Sequence, residues 1–551
     1  MAYRPPVTEQ RFLLEHICGV DGLAELDAIL EGLSAVTEGS LVPLAATGDR
    51  IGARWTADCV VMPEGYRAAY EMIAEGGWTA LSAPEAFGGQ GLPRIFSTVL
   101  LEDLGSADMG FSLVVMLSFG VVEALVAHGS PEQQAKWLPK LVSGEWTGTM
   151  NLTEPQAGSD VGALKTSAVR QADGRYRIKG QKIFITFGEH DLVDNILHLV
   201  LARTPDAPAG TRGISLFLVP RHREDGTPND VRAASIEHKM GIHSSPTCVM
   251  VYGEEDDCIG EIIGGEGEGM RAMFTMMNAA RLNVGLEGVS IAEAATQAAV
   301  TYAMERIQSP RAGSASRSSV AIIEHPDVRR MLLRMKALTM GARALVYAAV
   351  ADGVRTRVDL LTPLAKAWAT DVGCEVASLG IQVHGGMGYI EETGVARFYR
   401  DARIAPIYEG TNGIQAADLV GRKLGLDGGQ TLAGLLDEIR SDADGHAGLI
   451  GLADDVAAIA AGFADASVDD RLSGSYPLLT MLAVATAGGL MARQARIAAT
   501  VAGDPDFLAM KRAAAGYFLD VVVAEARGLR AAAEAGAVLV YSCSDGSFAA
   551  F

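Results

Sequence analysis

The period of hydrophobic positions and the punctuation between them divide the chain into four stretches. Through residues 1–150 the spacing is helical, broken at Gly88-Gly89-Gln90-Gly91 and at Gly129-Ser130-Pro131. Pro131 and Glu132 open a helix whose Trp137, Leu138 and Leu141 form an apolar stripe. Residues 151–262 read as strands. Tyr176, Ile178, Ile183 and Ile185 follow the turn pair Asp173-Gly174, and Ile196–Leu201 and Ile214–Val219 are short apolar runs bounded by Pro and Gly. Helical spacing returns over 263–428, where His325-Pro326-Asp327 precedes Val328, Met331, Leu332 and Met335. The glycine-rich run Gly264–Gly269 reads as a linker, and Arg311–Ser319 as an exposed loop. Residues 429–551 are Ala-rich and helical, with breaks at Asp469-Asp470 and at Gly503-Asp504-Pro505. Helices, a strand domain and helices again make an α+β chain, not an alternating Rossmann-type one.

Composition narrows the function. Charged residues make up 21% of the chain, which fits a globular fold, and the net charge of −21 comes without any long basic run. Nucleic acid and anionic membrane surfaces are therefore poor partners. The apolar run Ser112–Ala127 is short and contains Glu123, so it reads as a buried helix and not as a membrane insertion. Six scattered cysteines without a CxxC pair fit a reducing, cytoplasmic setting, and the start of the chain has no signal-peptide character. The phosphate-loop, zinc-protease and serine-hydrolase motifs are absent, so no metal is expected.

Three separated segments carry chemistry: Asn151-Leu-Thr-Glu-Pro-Gln-Ala-Gly-Ser-Asp160, Lys182-Ile-Phe-Ile-Thr186, and Arg400-Asp-Ala-Arg-Ile-Ala-Pro-Ile-Tyr-Glu-Gly-Thr-Asn-Gly-Ile-Gln415. With Pro84–Gly91, Gly129–Gln134 and Gln382-Val-His-Gly-Gly386, they make the chain resemble the acyl-CoA dehydrogenase family over nearly its whole length. The extension past 430 resembles a longer bacterial branch with an additional C-terminal helical domain. The resemblance implies FAD as cofactor and an acyl-CoA thioester as substrate, oxidised to the trans-2-enoyl-CoA in a β-oxidation-type reaction. It also implies an electron-transferring flavoprotein as acceptor and a homodimer as the minimum unit.

Abstracting a proton alpha to a thioester needs a carboxylate shielded from water, and hydride transfer needs a flat acceptor on the opposite face. The resemblance assigns the base to Glu409, which follows the apolar Ala-Pro-Ile-Tyr. The family's other location for the base is occupied by Ala280, which cannot take a proton. On the residues alone, Glu409 reads as a cap on the following helix. Arg281 is either a residue that orients the base or a surface ion-pair partner. Thr153, Gly158 and Ser159 match flavin and phosphate contacts, with Ser159 also near the substrate; without the resemblance they form a turn. Phe184 and Thr186 match a flavin-flanking aromatic and a flavin-bonding threonine, although the family often has Trp where Phe184 stands. By pattern alone Phe184 is strand core. Arg306, Gln382 and Gly386 match residues around a dinucleotide tail shared between subunits, or read as surface charge and a helix-ending turn. Thr411 and Asn412 follow the base and are expected to face the FAD. His384 reads as a hydrogen-bonded filler.

Two other functions use the same frame. An acyl-CoA oxidase would pass electrons to oxygen. A DNA-associated flavoprotein of the alkylation-response type would need a basic C-terminal surface, whereas this tail carries Asp437, Glu438, Asp442, Asp444, Asp454 and Asp455.

Overall fold

The computed structural model describes residues 3–20, 25–56 and 59–550. They divide into two compact units, one built on Ala28–Asn283 and the other on Pro6–Asp27 with Val284–Phe551. The helices α1 (Val7–His16) and α2 (Leu26–Ser40) open the chain.

In the first unit, α3 (Ala45–Ile51) leads into a two-stranded ribbon of β1 (Arg54–Trp55) and β2 (Val60–Val61), followed by α4 (Tyr66–Glu75). The helices α5 (Ile95–His128) and α6 (Pro131–Val142) follow. Apolar residues surround α5 on every side, and nearly all of Ile95–Leu125 is buried, which makes it a core helix. Its backbone breaks at Asp108, where φ is −149°. The Asp108 carboxylate repairs the break, accepting from the Phe111 N–H at 3.1 Å, from Ser244 Oγ at 2.7 Å and from the Tyr66 hydroxyl. Ser130 and Gln133 form a reciprocal capping box at the start of α6.

The strand domain is an eight-stranded sheet of β3 (Thr147–Asn151), β4 (Ser167–Arg170), β5 (Tyr176–Thr186), β6 (Ile196–Arg203), β7 (Ile214–Pro220), β8 (Val231–Ile236), β9 (Thr247–Tyr252) and β10 (Ile259–Ile263). Its order is β10-β7-β6-β4-β5-β9-β8, with β3 parallel to β6, and β10 also pairs with β5 to close a ring. All of β3 is buried, so its alternation is lost, and it begins inside the stretch that the sequence reads as helical. A bulge interrupts the β5–β9 pairing between Lys182 and Ile185.

The second unit is helical: α7 (Gly269–Glu305, which starts in the first unit), α8 (Pro326–Ala351), α9 (Arg355–His384), α10 (Val395–Ala402) and α11 (Asn412–Asp418). The extension adds α12 (Gln430–Asp442), α13 (Ala447–Asp465), α14 (Val468–Ala498) and α15 (Pro505–Tyr517). By length and composition alone α5, α13 and α14 could cross a membrane, but α5 and α14 are largely buried within the fold. Backbone packs against backbone between α7 and α9. A Cβ on Gly288 would lie 2.1 Å from the Ala369 carbonyl oxygen, and one on Gly285 would lie 2.8 Å from that of Ala365.

Two buried ion pairs tie this unit together. Lys511 on α15 donates to Glu9 on α1 at 2.8 Å, and Arg343 on α8 donates to Glu293 on α7 at 2.7 Å. Burial by itself would raise the Glu293 carboxyl, but the charges of Arg343 and Lys336 and bonds from Arg343 and Gln297 hold it down at about 2. A depressed carboxyl contributes stability above its ordinary value of 4.5 and loses it as pH falls toward about 2. Removing the cation alone strands a buried charge. Arg343→Met is therefore expected to cost about 3–5 kcal/mol in denaturant unfolding, and Glu293→Gln to flatten the acid limb of the stability curve between those pH values.

Candidate active site

In the first unit, one buried ion pair brings two of the three motifs side by side. The segment after β3 runs Leu152-Thr153-Glu154, and Glu154 is buried. Its carboxylate accepts from Lys182 Nζ at 2.8 Å, Thr166 Oγ1 at 2.6 Å, Thr166 N–H at 3.0 Å and Lys165 N–H at 2.6 Å. Burial pushes this carboxyl up, but Lys182 and these bonds bring it well below the ordinary range, so the pair is ionic. Lys182 also donates to the Leu152 carbonyl at 3.0 Å, and the Ile183 N–H donates to the Thr153 carbonyl at 2.9 Å. Thr153 is thereby fixed beside the end of β5.

The bulge in β5 then decides where Phe184 goes. Its φ is +59°, unusual for a bulky residue, and its ring is 58% exposed, so it is not strand core. Thr186 is half-buried, and its carbonyl accepts from Thr149 Oγ1 at 2.7 Å. Gly158 and Ser159 are exposed, and a Cβ on Gly158 would meet nothing within 4 Å. Arg281, also in this unit, is half-buried on α7, with a long 3.4 Å contact to Asn278 Oδ1.

In the second unit, the chain leaves α10, turns through Arg403–Ile407 and bends at Tyr408–Gly410 before α11. Glu409 is half-buried with φ +54°, a strained backbone for a non-glycine residue. It does not cap the next helix: Thr411 does, accepting from the Ile414 N–H at 3.2 Å. Lys366, fully buried on α9, holds the loop by donating to the Gly410 carbonyl and to Asn412 Oδ1, both at 2.9 Å. The Asn412 amide donates to Ala367 O, Thr370 Oγ1 and Asp371 Oδ1, so its side chain anchors the loop to α9. The other Asp371 oxygen accepts from the Tyr476 hydroxyl of α14 at 2.5 Å, which links the C-terminal extension to this anchor. From below, the Tyr408 hydroxyl donates to Glu287, a fully enclosed carboxylate on α7.

At the far ends of α7 and α9, Tyr302 stacks on His384 with ring centroids 4.4 Å apart. His384 is buried and bonded to the Gly380 carbonyl at 2.8 Å, as a filler would be. Arg306, Gln382 and Gly386 are exposed around this stack. A cavity of about 140 Å3 in this unit, lined by Arg357, Glu438, Asp442 and Arg493 among others, includes none of these residues.

Sequence reasoning did not find Glu287, Lys366, Tyr476 or the buttressing role of Tyr408. A carboxylate inside the apolar stretch Gly285-Leu286-Glu287-Gly288-Val289 was a usable signal, because an ionisable residue on a buried helix face needs a partner. The Lys366 and Tyr476 pairings depend on contacts across long sequence separations and leave no local pattern.

The chain is similar to known proteins over nearly its whole length. Residues 25–145, 149–254 and 267–424 match the N-terminal, middle and C-terminal domains of acyl-CoA dehydrogenases, and 443–543 match an acetyl-CoA dehydrogenase C-terminal-like domain. The chain is 45% identical to the 3-methylmercaptopropionyl-CoA dehydrogenase of Ruegeria pomeroyi, covering 95% of this chain and 97% of that one. It is 39% identical to a butyryl-CoA dehydrogenase of Syntrophomonas wolfei over 75% of this chain and 72% of the relative. Among solved structures, butyryl-CoA dehydrogenase from Megasphaera elsdenii aligns with a TM-score of 0.62 at 29% identity, covering 72% of this chain and 97% of that one. An acyl-CoA dehydrogenase from Bacillus anthracis aligns at 0.72 and 22% identity, covering 99% and 91%. The chain belongs to the acyl-CoA dehydrogenase family, oxidoreductases acting on CH–CH bonds, in a form that carries an additional C-terminal helical domain.

Proposed function

We propose that this enzyme dehydrogenates an acyl-CoA thioester between Cα and Cβ, with Glu409 as the base that takes the α-proton. The observation that carries this reading is the Glu409 loop. A carboxylate stands at a strained, half-buried position in a loop held by Lys366, Asn412 and Tyr408. Partial desolvation suits a carboxylate to proton abstraction, and a fixed backbone keeps it aimed.

The cofactor is FAD, which supplies the hydride acceptor at its N5 atom. The residues of the first unit fit such a group. Phe184 is an exposed aromatic residue, Thr153 and Thr186 supply neutral hydroxyls, and Gly158-Ser159 leaves room for close backbone approach. Arg306, Gln382 and Gly386, exposed on the second unit, suit the charged tail of a dinucleotide bound mainly by a partner subunit. Electrons leave to an electron-transferring flavoprotein, and the trans-2-enoyl-CoA product belongs to a β-oxidation-type sequence. The near full-length relative makes 3-methylmercaptopropionyl-CoA the first substrate to test and butyryl-CoA the second. The unpaired thiols fit a cytoplasmic enzyme.

We also infer a homodimer. Met304, Ile307, Met387, Tyr389 and Ile390 are exposed apolar side chains on the segments that carry Arg306 and Gly386, and covering them would remove a large apolar surface from water.

Two measurements check these readings. Anaerobic mixing with acyl-CoA is expected to bleach the flavin of the wild-type protein, and Glu409→Gln to slow bleaching by about 10²–10⁴-fold with the visible flavin spectrum retained. Undiminished bleaching by that variant removes Glu409 from the role. Light scattering of the holoenzyme is expected to give about twice the chain mass of 57.8 kDa, and a monomer with full flavin content contradicts the dimer.

A further inference from the structure

Glu287 is not used by the reaction as described, yet it is placed to influence it. It lies on α7 between Gly285 and Gly288, the positions that let α7 and α9 approach backbone to backbone, so its side chain is enclosed. One carboxyl oxygen accepts from Tyr408, the residue immediately before Glu409. The other, Oε1, is buried without a hydrogen-bond partner among the described residues. Three groups face it: Tyr408 and Glu409 on the loop, and Lys366 on α9.

We propose that Glu287 is a positioning residue for the base: a carboxyl that holds a proton on Oε1, fixes the Glu409 loop through Tyr408, and shares a single negative charge with Glu409. The inference rests on Glu409 being the base.

Burial above all, and then the charge on Glu409, raise the Glu287 carboxyl to about 8 against the lowering effects of the Tyr408 bond and of Lys366. Coupling is reciprocal, so an ionised Glu287 raises the proton affinity of Glu409 by the same amount. Below about pH 8 Glu287 holds its proton, so the pair carries at most one charge. Above it, two like charges face each other, and transfer of the α-proton to Glu409 relieves their repulsion. The proton moves from the substrate Cα to a Glu409 oxygen, and Glu287 neither gains nor loses one in that step. The sign is fixed: ionising Glu287 makes Glu409 the stronger base.

The test is the pH dependence of anaerobic flavin reduction by 3-methylmercaptopropionyl-CoA or butyryl-CoA. The wild-type rate constant is expected to rise several-fold through about pH 8. Glu287→Gln keeps the shape, the bond to Tyr408 and the neutral charge, so it is expected to match the wild type near neutral pH and to lose that rise. The same alkaline rise in both proteins, whether or not the variant is uniformly slower, overturns the proposal.

Tyr408→Phe provides a second variant. Loss of a bond that lowers the Glu287 carboxyl is expected to move the rise to higher pH, and an unmoved rise counts against the link. Infrared titration of the buried carboxyl in resting enzyme separates this inference from the base assignment. In Glu409→Gln its midpoint is expected to move to lower pH, because a neighbouring charge has gone. If the midpoint stays in place the coupling is refuted while Glu409 can still be the base. If it moves while Glu409→Gln reduces flavin at full speed, the coupling stands and the base assignment falls.

Discussion

The close contact of α7 with α9 is the constraint on which the candidate active site depends. Gly285 and Gly288 let the two backbones touch, and that contact encloses Glu287 on one helix and Lys366 on the other. Both polar groups bond to the loop that follows α10: Lys366 at Gly410 and Asn412, and Glu287 at Tyr408. Buried polar groups left unpaired are costly, so the packing of two apolar helices fixes the backbone on either side of Glu409. The geometry of this candidate base is a result of helix packing.

The same logic operates in the first unit with a strand in place of a helix. Glu154 and Lys182 are both buried, and their pairing sets the Thr153 segment against the end of β5. The bulge in that strand turns Phe184 outward at positive φ, and Glu409 also has positive φ. Both units hold a candidate functional residue in a backbone conformation that a local sequence would not choose. In each, a buried charged group next to it meets the cost of the strain. The extension past residue 430 joins this scheme through Tyr476, which bonds to Asp371, the residue that receives the Asn412 amide.

Much of this was legible in the sequence. The apolar runs at Ile196 and Ile214 became β6 and β7, and the Pro-led start at Pro326 became α8, because each has a strong local signal in period or capping. The motif around Glu409 was visible as a match of residue types in order. Three things were not visible. β3 is buried on both faces and shows no alternation. Phe184 sits in a run that looks like ordinary strand, and only the β5–β9 register shows the bulge. Glu287, Lys366 and Tyr476 join segments that lie 121, 44 and 105 residues apart from their partners, and no window of sequence contains both ends.

The central claim, that one carboxylate takes the α-proton, is tested most directly by hydrogen exchange. The holoenzyme is incubated in heavy water with an acyl-CoA analogue that binds but cannot be oxidised, and deuterium at Cα is followed by mass spectrometry. The account predicts steady exchange with the wild-type protein and exchange no faster than the enzyme-free background with Glu409→Ala. Exchange at the wild-type rate in that variant would contradict it, because another group would then be moving the proton.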